Sequence, residues 1–336
     1  MAGTQASSVL PVELIYHIIG YVLPVNRDEI LPPSHTATKT LLALSTVCRA
    51  TFPVATAHLW RHCLYIDSRP RLRLLLEGLR SRQARADVAK PSPHSLYLGP
   101  FTGEYLDLPT AQHVRDLFYE VRASLRRLVI DMPLRSLYPE DDTEGLRQTL
   151  REGFVTLTAL EEFVTVRDEL FLETVPASHR LADQEEEPAV WRLWAQLRRL
   201  ALYNANVVHD SLLVHAAALP RLETIVLTRA DGLSHGCLKS EFFQRGDPRR
   251  AVKVLLVNVA DQQPPDLQRH RWATVDPRGL MRVIEYNVPT SFYGDEDPIT
   301  LCQEWVKSAA LKGTLWKWEG IEVEADPPAT QGTDTL

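Results

Sequence analysis

A short apolar phrase recurs along most of this chain and limits what it can fold into. Leu125-x-x-Leu128-x-Ile130 is followed by Leu160-x-x-Phe163-x-Thr165, Leu197-x-x-Leu200-x-Leu202, Leu222-x-x-Ile225-x-Leu227, Val252-x-x-Leu255-x-Val257 and Met281-x-x-Ile284-x-Tyr286, with Leu96-Tyr97-Leu98 as a first member. Taking Leu96, Leu128, Phe163, Leu200, Ile225, Leu255 and Ile284 as equivalent, the steps are 32, 35, 37, 25, 30 and 29 residues. Each phrase has the length and alternation of a strand. Between phrases lie helical spacings: Val114, Leu117, Phe118 and Val121 in 111–123, Leu212, Leu213, Ala216 and Leu219 in 210–219, and Leu301, Trp305 and Ala309 in 298–311. Strand, helix, strand with connections this long requires right-handed parallel crossovers. Stacked in chain order, such units make a solenoid. A doubly wound α/β sheet uses the same alternation and stays open as an alternative. The glycine-rich phosphate turn that usually accompanies such a sheet is absent, as is a Gly-x-x-x-x-Gly-Lys-Ser/Thr loop.

The first sixty residues are built differently. Pro11 suits the first turn of a helix, and Leu14, Ile15, Ile18, Ile19 and Val22 form a stripe with period near 3.6. Pro24 ends that helix. A Pro-rich loop follows, and Thr38 or Thr40 is expected to cap a second helix running from Leu41 to Val47, which Pro53 would stop. Helices this short are marginal alone, so their stripes must be buried against each other and against something larger.

This order, Leu10-Pro11, a short apolar helix, a Leu-rich helix ending Val47-Cys48-Arg49, then Leu59-Trp60-Arg61, resembles an F-box. With the repeats behind it the chain is similar to F-box proteins carrying irregular leucine-rich repeats. The phrases Ser124-Leu125-Arg126-Arg127-Leu128-Val129-Ile130 and Val190-Trp191-Arg192-Leu193-Trp194 look like those of uncharacterised F-box proteins of filamentous fungi. The resemblance implies an α/β chain with an F-box module over 1–66, its core at 9–61, and a leucine-rich-repeat-like solenoid over 67–325; the composition of Pro327-Pro328-Ala329-Thr330-Gln331-Gly332-Thr333 adds a disordered tail over 326–336. It implies a Skp-type adaptor bound by the module, through it a cullin-RING ubiquitin ligase, and a protein substrate held by the repeats. Carried over by position, Leu10, Pro11, Leu14, Ile15, Ile18, Leu44, Val47, Cys48, Leu59 and Trp60 lie at or beneath the adaptor surface, with Cys48 where the pattern has a small buried side chain. A leucine-rich scaffold whose N-terminal helices only cap the solenoid is the other reading.

Composition narrows the classes. With 45% hydrophobic residues in 336 the chain can bury a large core, and a net charge of −6 gives no global pull toward nucleic acid or anionic lipid. Cys48, Cys63, Cys237 and Cys302 are scattered without disulfide or zinc spacing, which fits a reducing compartment. No apolar run is long enough to span a bilayer, and no basic-then-apolar leader is present, so a cytoplasmic or nuclear location is expected. There is no His-Glu-x-x-His and no Gly-x-Ser-x-Gly, so neither catalysis nor a cofactor is expected. His58 and His62 are four apart but lack a third ligand, which disfavours a metal.

Local charge is uneven. From Arg61 to Lys90 eight Lys or Arg face three acids, on an expected helix over 69–86. From Glu140 to Glu187 fourteen acids face four Arg. Glu140-Asp141-Asp142, Asp168-Glu169 and Glu185-Glu186-Glu187 could therefore line a rim that attracts a basic segment. At the C-terminal end, Thr314–Trp318 and Ile321–Val323 alternate like a closing strand pair, placing Trp316 and Trp318 on one face. Asp168, Glu169, Trp316 and Trp318 are the substrate-binding candidates.

Overall fold

A computed structural model of the chain describes residues 11–83, 92–101, 103, 105–175, 187–207, 212–245, 250–259 and 267–326. One nine-stranded sheet runs through it in chain order: β1 (Tyr65–Ile66), β2 (Ser95–Leu98), β3 (Arg127–Ile130), β4 (Glu162–Thr165), β5 (Arg199–Tyr203), β6 (Thr224–Thr228), β7 (Val252–Val259), β8 (Met281–Val288) and β9 (Ile321–Glu322). Strands β1 to β8 pair in parallel, and β9 closes the edge antiparallel to β8. This sequential parallel order is that of a solenoid and not of a doubly wound sheet, whose strand order reverses. β1 is a strand the repeat phrase misses, and the boundary expected at residue 66 falls at its last residue.

The expected register holds from β2 to β6, where Leu96, Leu128, Phe163, Leu200 and Ile225 are direct neighbours. It then slips by one. Ile225 faces Val254, and Val254 faces Val283, so Leu255 and Ile284 are not the equivalent positions. Both strands are eight residues long and apolar on both faces, so the phrase fits them in two registers, and one residue of slip changes the face.

Each face has its own core. Leu96, Leu128, Phe163, Leu200, Ile225, Val254 and Val283 point toward a row of helices, among them α4 (Arg69–Gln83), α5 (Leu108–Val121), α6 (Leu146–Phe154), α7 (Leu212–Ala218), α8 (Leu238–Arg245) and α9 (Trp272–Val275). Helices α5 and α6 meet closely at Gly153, where a Cβ would lie 2.9 Å from the Cα of Arg115. The opposite face carries Tyr97, Val129, Val164, Ala201, Val226, Leu255 and Ile284, and packs on α10 (Pro298–Lys312). The helix expected over 298–311 is therefore present, but it joins no two parallel strands. It follows β8 and crosses the face that the other helices leave open, burying Cys302, Val306, Ala309 and Ala310.

Three helices precede the sheet, α1 (Val12–Tyr21), α2 (Thr36–Val47) and α3 (Thr51–His62). Helix α2 starts earlier than its leucines suggest, because His35 caps it by accepting from the Ala37 amide at 3.1 Å; Thr38 is buried within the first turns. Pro53 does not stop α2. It sits in the first turn of α3, where its missing N–H costs nothing. At the other end, residues 314–318 form no strand: Leu315–Lys317 is a 3₁₀ turn after Gly313, whose φ of +67° ends α10 in the left-handed region.

Candidate docking face

The apolar side chains of α1 divide into two stripes. Ile19 and Leu23 are buried and Ile15 and Val22 half-buried, in a small core with Leu31, Ala37, Leu41 and Ala55. Half-buried Leu44 and Leu59 pack against the same core. The other stripe points outward: Leu14 is 48% exposed, Ile18 55% and Tyr21 84%, at i, i+4 and i+7 on one side of the helix. Across the corner between α2 and α3, Val47 and Phe52 are exposed as well, and Leu42 lies outward on α2. The module thus satisfies its own small core and keeps a second set of large apolar side chains in solvent. Helix periodicity carries the signal for Tyr21, seven residues after Leu14, although the stripe expected from sequence, Leu14, Ile15, Ile18, Ile19 and Val22, leaves it out.

The expected adaptor residues fall into distinct places. Leu10 lies outside the described residues. Pro11 precedes α1 and is exposed, as are Leu14, Ile18 and Val47. Cys48, expected to be buried, is exposed at the end of α2, where hydrogen bonds from the Thr51 hydroxyl, the Thr51 amide and the Ala50 amide hold its thiol pKa below the ordinary value. Trp60 is half-buried and packs against the large solenoid core, at the junction between α3 and the sheet.

That junction is tight. The loop after α1 threads between α3 and α10: the Ile30 amide donates to the Leu311 carbonyl at 2.8 Å, and the Leu31 amide to the His62 carbonyl at 2.7 Å. Arg127, on β3, donates to the carbonyls of both Asp28 and Ala310 and lies 3.4 Å from the Glu162 carboxylate. His58 and His62 stack with ring centroids 6.1 Å apart, and no group of three metal-binding side chains occurs among the described residues.

The substrate-binding candidates are engaged within the chain. Asp168 is buried and accepts from the Arg135 amide at 3.0 Å; burial raises its pKa against that bond and the Arg135 charge. Glu169 grips the Arg135 guanidinium with both oxygens, at 2.6 and 2.8 Å. Glu187 accepts from Thr174 and pairs with Arg151 at 3.1 Å; Glu185 and Glu186 lie outside the described residues. Glu169 and Glu187 line a cleft of ≈ 420 Å³ together with Trp191, Leu202 and His215. Trp316 donates to Glu162 at 2.9 Å, and Trp318 stacks on Tyr286 with centroids 4.2 Å apart, so both are half-buried against the α10 side of the sheet. Of the expected tail, Asp326 pairs with Arg269 at 3.0 Å and the rest lies outside the described residues.

No protein-family model matches the chain, and no curated protein does. A solved structure similar to it is the leucine-rich repeat-containing protein LegL7 from Legionella pneumophila, 12% identical, with a TM-score of 0.33, covering 80% of this chain and 88% of that one. At that distance the likeness says nothing of what this chain does. No described helix is long and apolar enough to cross a membrane.

Proposed function

We propose that the chain is a non-catalytic substrate receptor of a ubiquitin ligase, its N-terminal helices docking a Skp-type adaptor and its repeats holding a protein substrate. The observation that carries this reading is the outward stripe Leu14, Ile18 and Tyr21, which stays in solvent although the module has a filled core of its own. Large apolar side chains grouped on one helix face mark a protein interface, and a few of them supply most of the binding energy. The F-box-like order of the first sixty residues points to the adaptor as the occupant.

The test is co-expression of the full chain with a Skp-type adaptor. The wild type should co-purify with it, and Leu14→Asp with Ile18→Asp should abolish the complex while leaving the melting temperature unchanged, because both positions are exposed. Adaptor binding that survives the double substitution, or no complex with the wild type, would remove the proposal. The scaffold reading is favoured by one feature, the seating of Ile30 and Trp60 against the solenoid end as a cap would sit. It predicts no adaptor complex at all.

A further inference from the structure

A solenoid with helices on one face ordinarily leaves the other face free for a partner, but here α10 covers it from β3 to β8. A partner of the repeats must then be met along the rims where loops join strands to helices. One rim loop stands out. Between β8 and α10, Phe292 is 97% exposed and Tyr293 85%, with their rings edge-to-face at 5.5 Å. Two adjacent aromatic rings fully in water are unusual.

The loop that presents them is held. The Ser291 amide donates to Glu296 Oε1 at 2.8 Å, the Ser291 hydroxyl to Asp295 Oδ1 at 3.2 Å, and the Gly294 amide to the Ser291 carbonyl at 3.2 Å, with Gly294 at φ +62°. Asp297 then caps α10 by accepting from the Thr300 amide at 2.9 Å. Phe292 and Tyr293 thus sit at the tip of a closed turn. Ile299, in the first turn of α10, adds a further exposed apolar side chain at 48%.

Charge chooses the occupant. From Val283 to Val306 there are five carboxylates, Glu285, Asp295, Glu296, Asp297 and Glu304, and no Lys or Arg. A cation outside that stretch, Arg229, acts on Asp297, and Glu296 gives one oxygen to the Ser291 amide and buries the other, so the exposed Asp295 gives the turn its outward sign. We propose that this turn docks an arginine- or lysine-rich segment of a partner protein, with the cations over the Phe292 and Tyr293 rings and beside the Asp295 carboxylate. Aromatic faces attract guanidinium and ammonium groups, and the carboxylates steer them in. An acidic segment or an anionic bilayer would be repelled by the same charges. The surface is separate from the N-terminal docking stripe and stands whether or not an adaptor binds there.

The probe is a fluorescein-labelled oligo-arginine peptide, titrated by anisotropy against the full chain, with an oligo-glutamate peptide as control. The arginine peptide should bind with marked salt dependence, and Phe292→Ala with Tyr293→Ala should weaken it about fivefold or more at an unchanged melting temperature. Asp295→Asn should weaken it and flatten the salt dependence. Equal binding by wild type and the aromatic double variant would overturn the proposal, placing any attraction in the acidic stretch from Glu140 to Glu187. So would no arginine-peptide binding, equal binding of the glutamate peptide, or Phe292-dependent association with phosphatidylcholine vesicles in place of peptide.

Discussion

His62 is a titratable side chain folded into the junction between α3 and the sheet, 6% exposed, with its carbonyl accepting from Leu31. Burial, then the charges of Arg61, His58 and Arg27, push its pKa from 6.5 down to about 4, against the opposing pull of Asp28. Between those values the unfolded chain binds a proton that the folded chain does not. Stability from this site is therefore complete above about pH 6.5 and lost progressively as pH falls toward 4, by roughly 2–3 kcal/mol. Urea unfolding at pH 7.5 and 4.5 checks this, with His62→Gln as the comparison: the gap between the two pH values should narrow in the variant. An unchanged gap would place the acid sensitivity elsewhere. Arg147 shows the other way a buried charge is kept, by full hydrogen bonding. It is 1% exposed, donates to the carbonyls of Glu173, Leu134, Leu137 and Phe171, and stacks 4.4 Å from the Phe171 ring. It ties the loops after β3 and β4 together, and nothing in the strand pattern announces it.

Helix α10 is the element on which the two-sided core depends. Its apolar side chains at 302, 306, 309 and 310 match the sheet face, and among its polar contacts one reaches a buried carboxylate at the end of β3. Lys307 donates to Asp131 at 2.8 Å, while Arg167 at 2.6 Å and the Tyr97 hydroxyl at 2.9 Å converge on the same carboxylate. Burial opposes the charge on Asp131, but Lys307, Arg167 and Tyr97 together outweigh it and hold the carboxyl below its usual range. Asp131→Asn leaves Lys307 and Arg167 without their counter-charge and should cost about 3 kcal/mol. In that variant the α10 amides should exchange with solvent earlier than those of β5 and β6. Uniform exchange across the sheet and α10 would mean that the helix is held without this carboxylate.

At the scale of the molecule, Arg127 clasps three parts. Its backbone is in β3, and its guanidinium meets Asp28 from the N-terminal loop and Ala310 from α10. With the Ile30 hydrogen bond to Leu311 this joins the N-terminal helices to the solenoid end, so the intact chain should unfold in a single calorimetric transition. Arg127→Met removes the clasp but keeps the aliphatic stem, and should let the N-terminal helices melt first, as an early minor transition. A single transition in the variant would show that Trp60 and the backbone bonds suffice.

Most of the elements and their order are legible in local sequence pattern. Strand phrases and helical spacings are local, since alternation and 3.6-residue periodicity are set by which neighbours along the chain share a face. That logic found strands β2 to β8, helices α1, α5, α7 and α10, and the apolar stripe at Leu14 and Ile18. Three outcomes were left to the tertiary structure. The register of β7 and β8 was open because both faces of these strands are apolar, and the slip was decided by α10 claiming Leu255 and Ile284. The engagement of Asp168, Glu169, Trp316 and Trp318 was hidden because Arg135, Glu162 and Tyr286 are distant in sequence. Which stripe of α1 is spent on the core and which is left for a partner depended on Leu31, Leu41 and Ala55 arriving on one side only, and a helix's own periodicity cannot say from which side its neighbours come.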